Sequence, residues 1–171
     1  MTGHTGLQRL LHYDRSNLRG DSEPIVANLD VRDSLHRLKG LADSIVHLAP
    51  PPPEGRQDRR TRNLAAIVPR QATLVYVSTT GVYGDCKGAF FDETRPVAPM
   101  NARAQRRADA ERVLRRWART HTGRLSILRV PGIYAADRLP LERLRQGTPA
   151  LIDAEDVYTN HIHADDLAQI I

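Results

Sequence analysis

The stretch Leu74–Asp85 reads LVYVSTTGVYGD. Leu74–Val77 are apolar and aromatic residues suited to a buried strand, and they run without a break into the hydroxyls of Ser78, Thr79 and Thr80. A core strand ending this way either satisfies its own loose backbone groups or presents hydroxyls to a ligand. Three more apolar runs resemble it: PIVANL at Pro24–Leu29, SIVHLA at Ser44–Ala49 and LSILRV at Leu125–Val130. All are near-continuous rather than alternating, as expected of strands buried on both faces of a parallel sheet. Helical patterns lie between them. Asp33 is placed to cap a helix containing Leu35, Leu38 and Leu41, and a second helix fits Arg59–Val68. A third spans Ala102–Thr120, with Ala110, Val113, Leu114, Trp117 and Ala118 along one face. Strands alternating with helices imply βαβ units and a doubly wound α/β parallel sheet. Right-handed crossovers then gather the strand C-termini on one edge, where such folds bind ligands, and Ser78–Thr80 lie on that edge.

The chain of 171 residues is long enough for one domain with a sizeable core, and its 40% hydrophobic and 26% charged residues suit a soluble globular protein. No apolar run is long enough to span a membrane, and the first residues lack a signal-peptide core, so no membrane partner is expected. Cys86 is the only cysteine, which rules out an internal disulfide and makes a reducing cytoplasm the expected compartment. The net charge of +5 owes much to Arg103, Arg106, Arg107, Arg112, Arg115, Arg116 and Arg119. No aromatic residue interleaves with these arginines except Trp117, on the apolar face, so nucleic acid is not expected. His161 and His163 share a strand face, but no third ligand lies nearby and no metal is expected. Asp165 or Asp166 is expected to cap a helix starting at Leu167.

VYVSTTGVYGD with the following FDETRPVAP, then LRVPGIYAADR at Leu128–Arg138 and NHIHADDLAQ at Asn160–Gln169, together resemble the extended short-chain dehydrogenase/reductase superfamily in its NAD-dependent epimerase/dehydratase branch. VANLD and VHLAPP match two earlier strand ends, so the resemblance runs from about Pro24 to Ile171. It implies a Rossmann-like fold, NAD or NADP as cofactor, and a nucleotide-sugar or similar carbonyl/alcohol substrate. It also implies site residues. Thr79 would hydrogen-bond the reacting oxygen of the substrate. Asn28 would meet the adenine amino group, Leu48 and Ala49 the adenosine, and Pro131, Gly132 and Ile133 the nicotinamide. Arg15 would meet a 2′-phosphate. Members of the superfamily often dimerise through two helices, so a homodimer is an expectation of the resemblance.

The chain departs from the family at two places. The Tyr-x-x-x-Lys pair of the long helix is replaced by Arg103 and Arg107, counted back from Glu111. Arginine stays protonated and is no ordinary proton shuttle. Arg107 would then hold ribose hydroxyls or phosphate, Arg103 an anionic substrate, and Tyr83 is the candidate substitute acid/base. At the N-terminus, Thr2, Gly3, Thr5 and Gly6 resemble the start of a glycine-rich pyrophosphate turn, with Arg9 at its last glycine and only Met1 upstream. The expectation is one Rossmann-like domain over residues 1–171, without most of the first βα unit and the C-terminal substrate portion, binding dinucleotide weakly. The alternative is a non-catalytic cofactor-sensing or interaction module on the same fold.

Overall fold

A computed structural model describes residues 25–149, 151–152 and 156–171; the readings at Thr2–Gly6, Arg9, Arg15 and Pro24 lie outside these. The sheet is built from β1 (Ser44–His47), β2 (Thr73–Thr79) and β3 (Arg124–Val130), all parallel, in the order β1-β2-β3. β1 and β2 are joined through α1 (Arg59–Ala65), and β2 and β3 through α2 (Ala102–Thr120). In the register of the sheet His47 pairs with Tyr76, and Thr79 pairs with Val130. A second parallel pair joins β4 (Gly132–Tyr134) to β5 (His161–His163). Two short α-helices, α3 (Leu141–Arg145) and α4 (Ala164–Ile170), and three 3₁₀ segments, Arg32–Leu38, Thr80–Tyr83 and Ala136–Arg138, complete the described elements. None of the described helices is long and apolar enough to cross a membrane.

α1 and α2 start where side chains can serve their first amide groups. Asp58 caps α1 by accepting from the Thr61 amide at 3.1 Å, and Asn101 caps α2 by accepting from the Ala104 amide at 2.9 Å. α1 and α2 pack on each other and cover the face of β2 that carries Leu74 and Tyr76. Ala110, Leu114 and Trp117 of α2 meet Leu64 of α1 in this core, as the i, i+4, i+7 spacing requires. Charge is buried here as well. Asp109 of α2 accepts from the Asp58 amide at 2.8 Å, is clamped by the guanidinium of Arg62 and receives Arg112 at 2.9 Å, which ties the start of α1 to the middle of α2. The Asp109 carboxyl is pushed up by burial but held below its ordinary value by these donors and charges.

Four expectations are corrected. Residues 25–28 form no strand. The Ser34 hydroxyl engages both the amide and the carbonyl of Asn28 at 2.9 Å, and Asn63 donates to the Leu29 carbonyl at 2.8 Å, so side chains take the groups a ladder would use. The following helix is a 3₁₀ segment, Arg32–Leu38, entered from Val31 with no side-chain cap; Asp33 lies inside its first turn, and Leu41 lies beyond the turn at extended Lys39 and Gly40, whose φ is +76°. α1 ends at Ala65 rather than Val68. α4 begins at Ala164, and its cap is His163, whose Nδ1 accepts from the Asp165 amide at 3.3 Å; neither aspartate has that role.

Candidate functional site

Because β1, β2 and β3 are parallel, the segments following them leave from one edge of the sheet. Leu48 and Ala49 follow β1, Thr79 closes β2, and Pro131 to Ile133 follow β3, so the sequence places these segments at the same edge and the sheet brings them there. Leu48 is 55% exposed, an apolar side chain left open at the mouth of the sheet. Thr79 is the cap of a 3₁₀ turn, Thr80–Tyr83, and its hydroxyl accepts from the Gly81 amide at 3.2 Å. Thr79 thus satisfies a backbone group, and its hydroxyl proton has no partner among the described residues. Gly132 lies against β5, where an added Cβ would sit 2.6 Å from the His161 ring.

Arg107 and Arg103 part company. Arg107 is buried, and its Nη1 donates to the Tyr76 hydroxyl at 3.1 Å and to the Val77 carbonyl at 2.9 Å. Val77 is one residue beyond the last β1–β2 pair, so the guanidinium is anchored where the two strands part, two residues before Thr79. Arg103 is exposed on the first turn of α2 and has no described partner. Asn28 turns its side-chain oxygen to the Asp30 amide at 2.9 Å, so that acceptor already serves a tight turn. Asp30 in turn holds Arg60 at 2.7 Å, and Arg60 donates to the carbonyls of Pro50 and Pro51, which fixes the loop after β1 against residues 28–30.

Behind the strand end lies a polar network that sequence reasoning missed. Ser78 donates to Glu111 at 2.7 Å, and Glu111 is gripped by Arg129, whose Nη2 lies 2.8 Å from Oε2. Arg129 also donates to the Tyr83 hydroxyl at 2.7 Å and lies over the Tyr83 ring at 4.7 Å. Its pKa is raised, first by the Glu111 hydrogen bonds. Tyr83 is buried edge-on against Phe91 and borders a broad open cleft beside β3 that Arg129, Gly132 and His161 also line. The signal was present: an arginine inside the apolar run LSILRV must find a buried counter-charge.

A third group sits at the end of β1. Thr61 donates to Asp58 at 2.8 Å, so the His47 Nε2, 2.9 Å from the Thr61 hydroxyl, is the donor in that contact. Burial and then the Arg107 charge lower the His47 pKa to about 4, and burial pushes Tyr76 up to about 12. Among the described residues no group of three or more His, Cys, Asp or Glu is placed to hold a metal.

A three-stranded parallel sheet with crossover helices, open at its C-terminal edge, defines a Rossmann-like α/β protein. The chain belongs to the NAD dependent epimerase/dehydratase family, whose model matches residues 3–171. It is similar to a double mutant of the dTDP-glucose 4,6-dehydratase of Streptomyces venezuelae with NAD bound, at 25% identity and a TM-score of 0.69 over 84% of this chain and 51% of that one. It is also similar to a conserved protein of unknown function from Silicibacter pomeroyi, at 30% identity and a TM-score of 0.57 over 75% of this chain and 45% of that one. RMD from Pseudomonas aeruginosa, complexed with NADPH, shares the fold at 22% identity and a TM-score of 0.64, over 84% of this chain and 60% of that one. The chain thus spans about half the length of these structures. No curated protein matches it.

Proposed function

We propose that the chain forms the dinucleotide-binding part of an NAD(P)-dependent oxidoreductase of the epimerase/dehydratase type, acting on a nucleotide-sugar or similar carbonyl/alcohol substrate. The observation that carries this reading is the shared edge: Leu48–Ala49, Thr79 and Pro131–Ile133 leave three parallel strands side by side. The exposed Leu48 supplies apolar surface for an adenosine, and Pro131–Ile133 supply the surface for a nicotinamide. Arg107, fixed by Tyr76 and Val77 through one nitrogen, keeps its other N–H groups for ribose hydroxyls or phosphate. The bound dinucleotide supplies the hydride.

Thr79 donates a hydrogen bond from its hydroxyl to the substrate carbonyl oxygen and polarises it. Tyr83 gives the proton that completes the alcohol, and Arg129 orients its phenol by donating to the oxygen. Turnover is followed as NAD(P)H absorbance against a panel of nucleotide-sugars and simple carbonyls. Thr79→Val and Tyr83→Phe should each lower kcat/KM by about 100-fold. Turnover that survives both changes refutes these roles.

One observation favours a second reading. Arg103, at the place of the family's acid/base, is exposed and unpartnered among the described residues. That suits a cofactor-sensing module, which would bind NAD(P) and turn over nothing in the same panel.

A further inference from the structure

The face of α1 and α2 turned away from the sheet carries a groove of about 450 Å³. Five arginines line it: Arg62, Arg112, Arg115, Arg116 and Arg119. Val113 contributes to its wall, and the one carboxylate there, Asp109, is 2% exposed. A basic helix is ordinarily neutralised by exposed Glu or Asp three or four residues away. α2 has only Asp109 and Glu111, and both are buried. Asp109 is taken up by Arg62 and Arg112, and Glu111 is held by Arg129 with Arg115 at 3.9 Å. Arg116 and Arg119 form no ion pair among the described residues.

The buried carboxylate also organises the groove. It fixes the guanidinia of Arg62 and Arg112 at its rim, so part of the ordering that an incoming anion would demand is already complete. Arg112 uses only Nη2 in that contact and keeps its other N–H groups. Guanidinia offer paired N–H groups that match phosphate oxygens two at a time. From this we infer that the α1–α2 groove binds a compact polyphosphate anion, at a site separate from the strand edge. Two other occupants fit less well. A nucleic acid would want stacking surface, and the nearby Trp117 is 4% exposed and packed in the core. A second copy docked by a two-fold axis would set the same five arginines against themselves.

The test is calorimetric titration of the full chain with sodium triphosphate, at low salt and at roughly 0.15 M salt. One triphosphate should bind per chain, more weakly at the higher salt. The double change Arg116→Gln/Arg119→Gln should weaken binding about tenfold or more by removing two charge-assisted contacts, while Arg70→Gln, exposed elsewhere, should not. Far-UV circular dichroism checks that the double variant keeps its helices. The proposal is overturned by the absence of saturable heat, or by equal affinity in the double variant. It is also overturned if saturating NAD displaces triphosphate, which would place the anion at the strand edge. Tighter binding of a single-stranded oligonucleotide through the same arginines would overturn the small-anion class, and one anion shared by two chains in sedimentation would overturn a site within one chain.

Discussion

His47 ties the stability of the fold to pH in a window of its own. The side chain is 3% exposed at the end of β1, its ring 5.1 Å from that of Tyr76, with Thr61 as its hydrogen-bond partner. Burial and then the Arg107 charge lower its pKa from 6.5 to about 4. The unfolded chain therefore takes up a proton at His47 as the pH falls below 6.5, while the folded chain resists until about pH 4. The stability held by neutral His47 is complete above pH 6.5, is lost progressively down to about pH 4, and changes no further below that. At about 1.4 kcal/mol for each pH unit across that interval, the loss is about 3 to 4 kcal/mol. The carboxyls of Asp30 and Asp109 lie below their ordinary 3.8, so the stability they carry is present above 3.8 and falls away at more acid pH, outside this window. Urea unfolding at a series of pH values between about 4 and 7.5 measures the loss. The same series on His47→Gln, which keeps an N–H for Thr61 and does not titrate, should be flat across the window. A flat wild-type series, or a slope that persists in His47→Gln, would refute the reasoning.

Three further outcomes follow from the packing. Asp109→Asn leaves Arg62, Arg112 and the Asp58 amide without their anionic acceptor. The loss should be about 2 kcal/mol in urea unfolding, less than for a fully buried pair because Arg62 and Arg112 are partly solvated. Gly84→Ala places a methyl 2.3 Å from the Ala98 carbonyl oxygen at a φ of +73°, and should cost about 3 kcal/mol, read as a fall in Tm. Glu111→Gln removes the charge that holds Arg129; it should destabilise the chain by about 3 kcal/mol, and Ser78→Ala by less, since Arg129 still holds the carboxylate.

What the sequence revealed follows the kind of signal each element carries. β2, β3 and α2 were legible almost to the residue from their apolar runs and a 3.6-residue face, but the expected burial of the strands on both faces is not met: β2 alternates buried with half-buried residues, and in β3 only Val130 is buried. Residues 25–30 misled for the opposite reason. Their apolar composition suits a strand, but Ser34, Asn63 and Arg60 bind them from elsewhere in the chain, and no local pattern announces such contacts. At the site, the strand-end position of Thr79 was readable from one run of residues. The Ser78–Glu111–Arg129–Tyr83 network was not, since it joins four places that only the packed sheet and helix bring together. Arg107 was read as a cofactor ligand from the family resemblance; its anchoring to Tyr76 and Val77 was not legible, because it depends on the β1–β2 ladder stopping at Tyr76, three residues before the β2–β3 ladder ends at Thr79.

The central claim is that a dinucleotide lies along the C-terminal edge of β1, β2 and β3. Amide hydrogen exchange with and without NAD and NADP, at roughly 10 mM to saturate even a weak site, tests it most directly. The account predicts slower exchange at Leu48–Ala49, at Thr79–Gly81 and at Gly132–Ile133, together and with one cofactor dependence. Protection confined to the α1–α2 groove, or slowing at one of the three segments without the others, would contradict it.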